Sequence, residues 1–171
     1  AKKTKIIDWD FVDTCWEKES REYQYVAANY LKAMQSYLKD SDLPKLEQLV
    51  VTKSWWDTVD ILDRVVGSLV YEKQELEKII LQWSLSDNIW LRRVAIDHQL
   101  LRKEKTNVQL LEKILFHNLN QTEFFINKAI GWALRDYSKT NPAWVACFIE
   151  KNKERMAELS IKEASKYLSH H

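Results

Sequence analysis

Trp56 and Asp60 stand four residues apart in Ser54-Trp55-Trp56-Asp57-Thr58-Val59-Asp60. On a helix that spacing puts both side chains on one face, one turn apart. A carboxylate beside an indole suits a cationic guest, which the ring attracts and the carboxylate pairs with. The same residues also suit an ordinary helix start, with Asp57 favourable to the helix dipole and Asp60 paired to Arg64 at i+4. Trp55 and Val59 fall on the adjacent face with Leu62 and Val66, and that face is expected in the core.

A second cluster is Trp90-Leu91-Arg92-Arg93-Val94-Ala95-Ile96. Adjacent helical residues point about 100° apart, so one arginine can face a groove while the other faces solvent. Arginine near a helix N-terminus opposes the dipole, which points to an outside anion such as phosphate. A solvated basic patch explains it equally well. The third cluster is Phe124-Phe125-Ile126-Asn127-Lys128-Ala129-Ile130-Gly131-Trp132-Ala133-Leu134-Arg135-Asp136-Tyr137. Lys128 precedes Trp132 by four residues and Arg135 follows it by three. A tryptophan between two cations is unusual for a core position, although structural packing accounts for it too. Gly131 in mid-helix costs about 1 kcal/mol against alanine, so a close backbone approach is expected there.

Other chemistry finds little support. His98 and His117 lack helically spaced acid or thiol partners and read as structural or surface residues. Cys15 and Cys147 lack metal or CxxC spacing and read as buried free thiols, consistent with a reducing cytoplasm. There is no phosphate-binding glycine loop, no GxSxG and no HExxH, so neither metal nor cofactor is implied. No apolar run approaches about 18 residues, so no membrane span is expected. Ala1-Lys2-Lys3-Thr4-Lys5 carries charge without the apolar stretch of a signal peptide. His170 and His171 read as a tag remnant.

The elements that must position these clusters are helices. Apolar residues recur at i, i+3, i+4 and i+7 along nearly the whole chain. The spacing predicts helices at 6–17, 20–38, 42–52, 55–71, 74–85, 88–104, 107–118, 122–139, 142–151 and 160–168. Ser20, Ser41 or Asp42, Ser54, Asp87 or Asn88, Thr106 or Asn107, and Thr122 supply caps. Ser160-Ile161-Lys162-Glu163 matches a capping box, and Asn141-Pro142 marks a stop followed by a helix start. With 2 glycines and 2 prolines in 171 residues, a turn-rich all-β fold is excluded. The length suits one domain over 1–171, and 46% hydrophobic with 30% charged residues fits a soluble globular chain. The net charge of +1 carries no argument for nucleic acid, so any basic footprint must be local.

Shorter and longer helices alternate. Aromatics near the starts of the longer ones recur at Tyr23, Trp55, Trp90 and Phe125, at intervals of 32, 35 and 35 residues. Small or apolar segments follow, as in Val26-Ala27-Ala28, Val94-Ala95-Ile96 and Ala129-Ile130-Gly131. Such a period marks an α-solenoid of helical hairpins, the longer helices lining one face of a curved stack.

Lys53-Ser54-Trp55-Trp56-Asp57-Thr58-Val59-Asp60, Ser86-Asp87-Asn88-Ile89-Trp90-Leu91-Arg92-Arg93 and the segment 123–142 resemble, in content and order, the motifs of the AlkD family of bacterial DNA glycosylases, from about Trp9 to the end. The resemblance implies HEAT-like repeats with a concave basic face that holds duplex DNA, and excision of cationic bases such as 7-methylguanine and 3-methyladenine. It implies Asp60 as catalytic carboxylate, Trp56 and Trp132 as the aromatic pair, and Arg93 as the phosphate-facing arginine. Arg92, Lys128 and Arg135 become further backbone contacts. Family members carry additional helices before the segment matching Trp9. This chain is expected to lack them, which bears on affinity more than on chemistry.

The implied chemistry is coherent. Breaking a glycosidic bond builds positive charge on the sugar, and a base already cationic leaves neutral without acid catalysis, so one carboxylate suffices. The resemblance also implies that the base need not be flipped into a pocket. The expected protein is a cytoplasmic monomer acting on double-stranded DNA. Its competitors are a non-catalytic DNA-structure binder on the same fold and a protein-interaction scaffold.

Overall fold

The computed structural model describes residues 6–168 and is helical, with ten α-helices and no strand among the described residues. The expectations for Ala1–Lys5 and for His170 and His171 lie outside them. No described helix is long and apolar enough to cross a membrane. The chain divides into two compact units, 1–79 and 80–171.

In the first unit α1 (Trp9–Glu17) packs on α2 (Arg21–Ala33), and α2 and α3 (Leu43–Val50) pack on α4 (Trp56–Val70). The apolar stripes meet in a core that includes Val12, Leu31, Leu46, Val59, Leu62 and Val66. Asp8 starts α1, its carboxylate accepting the Phe11 N–H at 3.0 Å. A 3₁₀ turn at Gln35–Tyr37 replaces the last turn expected of α2. Helix α5 (Gln74–Trp83) contains the division between the units.

In the second unit α6 (Ile89–Asp97) packs on α7 (Val108–His117) and α8 (Phe124–Ser138), and α8 packs on α9 (Pro142–Asn152) and α10 (Glu158–Ala164). Asn88 and Asn107, rather than the alternatives Asp87 and Thr106, cap α6 and α7 through their side chains, and Asn141, where a helix start was expected, caps α9.

Four expectations are corrected. Trp55 is 48% exposed rather than in the core. It is the residue before α4, with extended backbone (φ −156°, ψ 162°), so its side chain does not follow the face of Val59. Helix α6 ends at Asp97 instead of 104. There the Gln99 side chain bonds both the N–H and the C=O of Asn107, and Leu101 and Lys103 take positive φ, closing a loop. The Ser160 capping box does not form: Ser160 is buried inside α10 and donates to the Asn127 carbonyl at 2.7 Å, while Glu163 pairs with Arg135. Cys15 is buried as expected, but Cys147 is exposed on α9; both are free thiols.

His98 is sealed in the second core. Its Nδ1 bonds the Ala95 carbonyl at 2.7 Å, and its Nε2 is buried without a hydrogen-bond partner. Burial first, then the positive charge of Arg102, lowers its pKa from the usual 6.5 to about 3. The unfolded chain therefore takes up a proton below pH 6.5 that the folded chain refuses. The associated stability is fully present above that pH and is lost as pH falls toward 3, with a slope approaching about 1.4 kcal/mol per unit. Melting the protein and its His98→Gln variant from pH 7 to 4 should show their stability gap closing; a constant gap would show that the ring is charged when folded.

Candidate functional site

The first unit presents one cluster at the start of α4. Trp56, the first residue of that helix, is 48% exposed. Asp60 follows one turn later, half-buried, so the pair shares a face as the spacing required. Three acids, Asp57, Asp60 and Asp63, stand on this helix. Asp57 accepts both ends of the Arg21 guanidinium, from Nε at 3.0 Å and from Nη2, and also the Tyr25 hydroxyl. The hydrogen bonds from Arg21, then those from Tyr25 and the Thr58 N–H, outweigh burial and hold the Asp57 carboxyl below its usual pKa. The bond to Asp57 raises the Tyr25 hydroxyl, keeping it protonated. Asp63 is buried and lies 3.5 Å from the Arg64 guanidinium. Asp57, expected as a plain dipole partner, is thus the anchor of α4 to α2.

The second cluster lies within the second unit. The Arg93 guanidinium stands 5.0 Å from the centre of the Trp132 ring and 5.8 Å from that of Phe125, and Nη1 donates to the Phe125 carbonyl at 2.7 Å. Arg93 is only 2% exposed. The Lys128 ammonium lies 5.9 Å from the Trp132 ring centre. Trp132 is therefore flanked by two cations, but they are Lys128 and Arg93 from the neighbouring helix, not Lys128 and Arg135. Lys128 and Arg93 thus meet at one ring.

Arg135 forms an ion pair with Glu163 of α10. Arg92 is half-buried, its Nε donating to the Asn118 side chain at 2.8 Å, and Asn118 in turn holds the Ser84 and Ile114 carbonyls. Burial lowers the Arg92 pKa, while Glu123 and Asp87 oppose the shift. Of the adjacent arginines, then, one is buried and the other half-buried. His117 bonds the buried Ser84 hydroxyl at 2.7 Å, and Ser84 also donates to the Leu81 carbonyl. His117 thus belongs to this packing network.

Gly131 has the close neighbour its position in mid-helix implied. A Cβ there would lie 2.8 Å from Glu163 Cβ and 3.4 Å from the Ser160 carbonyl oxygen. Gly131→Ala gains helix propensity but forces α8 and α10 apart, and a net loss of about 1–3 kcal/mol is expected. A denaturant midpoint at or above wild type would show that α10 yields freely.

Arg21 and Tyr25 went unnoticed in the sequence, and Glu163 was read only as half of a capping box. An arginine opening a helix opposes the dipole, and that signal singled out Arg92 and Arg93; Arg21 opens α2 in the same way.

The model of the DNA alkylation repair enzyme family matches residues 1–168. The chain is similar to the solved structure described as a predicted DNA alkylation repair enzyme from Enterococcus faecalis, at 36% identity and TM-score 0.88, covering 95% of this chain and 76% of that one. It also shares the fold of AlkD2 from Streptococcus mutans, at 18% identity and TM-score 0.73, covering 93% of this chain and 80% of that one. No curated protein sequence matches it.

Proposed function

Because the chain belongs to the DNA alkylation repair enzyme family, we propose that it is a DNA glycosylase that hydrolyses the N-glycosidic bond of cationic alkylated purines, such as 7-methylguanine and 3-methyladenine, in duplex DNA. The observation that carries this reading is the half-exposed Trp56 with the half-buried Asp60 one turn along the same face of α4.

An N3- or N7-alkylated purine carries the positive charge that makes it a good leaving group. What remains for the protein is to stabilise the sugar cation left behind and deliver water to it. Asp60 performs both tasks. Trp56 and Trp132 pack against the deoxyribose, each favouring its charged state by roughly 0.5–2 kcal/mol. Arg93, held against the Trp132 ring, fixes the backbone register without reading sequence, and Lys128 adds a second backbone contact. Arg92 and Arg135, tied to Asn118 and Glu163, contribute less to DNA than their charge suggests. The contacts run to sugar and phosphate, so the base stays outside any pocket.

On this reading the helical hairpins are HEAT-like repeats, and the protein acts as a cytoplasmic monomer with no metal or cofactor. The test is incubation with methylated duplex DNA and identification of the released base. Free 7-methylguanine supports the reading; intact base in bound DNA leaves a DNA-structure binder in its place.

A further inference from the structure

Resting on that reading of Asp60 and Trp56, we propose that Arg21 is a positioning residue for both, acting through the Asp57 carboxylate and the Lys53 carbonyl.

Helix α4 begins without the device that usually fixes a helix start. Trp55 occupies the cap position and has no oxygen to offer the first amides. Ser54, which could have served, turns its hydroxyl back to the Val50 carbonyl at 2.5 Å. The chain reaches α4 through Lys53, at φ 54°, a left-handed conformation uncommon for a residue with a side chain and kept only where surroundings impose it.

Those surroundings come from α1 and α2. Trp16 donates its indole N–H to the Thr52 carbonyl at 2.9 Å, and the Lys53 ammonium donates to the Lys18 carbonyl at 2.6 Å. Arg21 then grips both sides of Trp56. Before it, Nη1 donates to the Lys53 carbonyl at 2.6 Å. After it, Nε and Nη2 hold the two oxygens of Asp57, and Nη2 reaches the Thr58 hydroxyl at 3.2 Å. Tyr25, one turn along α2, donates to the same carboxylate. A planar five-donor fork satisfies these acceptors at once, which a lysine ammonium cannot do in the same geometry. Asp57 itself accepts the Thr58 N–H at 2.7 Å, and the clamp on that carboxylate sets the azimuth at which α4 leaves, hence where Trp56 and Asp60 stand.

The full chain carrying Arg21→Met, Arg21→Lys or Tyr25→Phe is compared with wild type on duplex DNA containing 7-methylguanine. Arg21→Met is expected to slow single-turnover base release roughly 10- to 100-fold while DNA affinity stays within about threefold, the mark of misplaced groups rather than lost binding. Arg21→Lys, which keeps the charge, should show the same split, and Tyr25→Phe a smaller one. Because the Arg21 side chain is 32% exposed, added guanidinium should restore part of the rate in Arg21→Met and leave wild type unchanged. Independently of activity, the indole N–H resonances of Trp55 and Trp56 should move in Arg21→Met while that of Trp144 stays. Release at the wild-type rate, or unmoved indole resonances, overturns this inference and leaves the glycosylase reading standing. A wild-type protein that releases no base overturns both.

Discussion

Asp60→Asn removes base release by about 10²–10³-fold and leaves duplex binding in place, if the carboxylate stabilises charge that develops only in the transition state. Asparagine keeps the size and one carbonyl oxygen, so packing on α4 changes little, but it offers a dipole where a full negative charge had faced the sugar. Asp57→Asn is the matched control. That carboxylate is engaged by Arg21 and Tyr25, so its loss should act through the position of α4, with a fall in thermal stability larger than that of Asp60→Asn. Equal activity losses with equal stability losses in the two variants would mean that Asp60, too, is a structural acid.

Arg93→Ala should produce two effects that separate cleanly. The guanidinium is buried against two aromatic rings and hydrogen-bonded to the Phe125 carbonyl. Its removal leaves a void and a weakened acceptor, and a loss of roughly 3 kcal/mol in folding stability is expected. If Arg93 also meets a DNA phosphate, the slope of log affinity against log salt should fall by about one. Arg93→Met refills the void without the charge: stability should recover in part and the salt slope should not. A salt slope equal to wild type in both variants would assign Arg93 to orienting Trp132 alone and pass the phosphate contact to Lys128.

The interiors of the helices were legible because burial imposes a 3.6-residue period that Val59, Leu62 and Val66 display plainly. Their ends were less so. Helix α6 runs out at Asp97 because Leu101 and Lys103 adopt left-handed backbone, and neither is the glycine or asparagine that announces such a turn. Ser160 looked like a cap because a capping box is a local pattern; a buried carbonyl from α8 competed for its hydroxyl and won. In the candidate site, Trp56 and Asp60 were readable because both sit on one helix. The cation that faces Trp132 from α6, and the grip of Arg21 on α4, are contacts across about 32 to 39 residues of sequence, where no periodicity reaches.

The missing side chain at position 131 also has a mechanical meaning. With Glu163 seated in that notch and tied to Arg135 one turn away, α8 and α10 form a bracket that resists sliding or rolling. Trp132 is the very next residue along the chain, so its indole is mounted on the bracket, and torque applied to α10 at a distance would swing the ring.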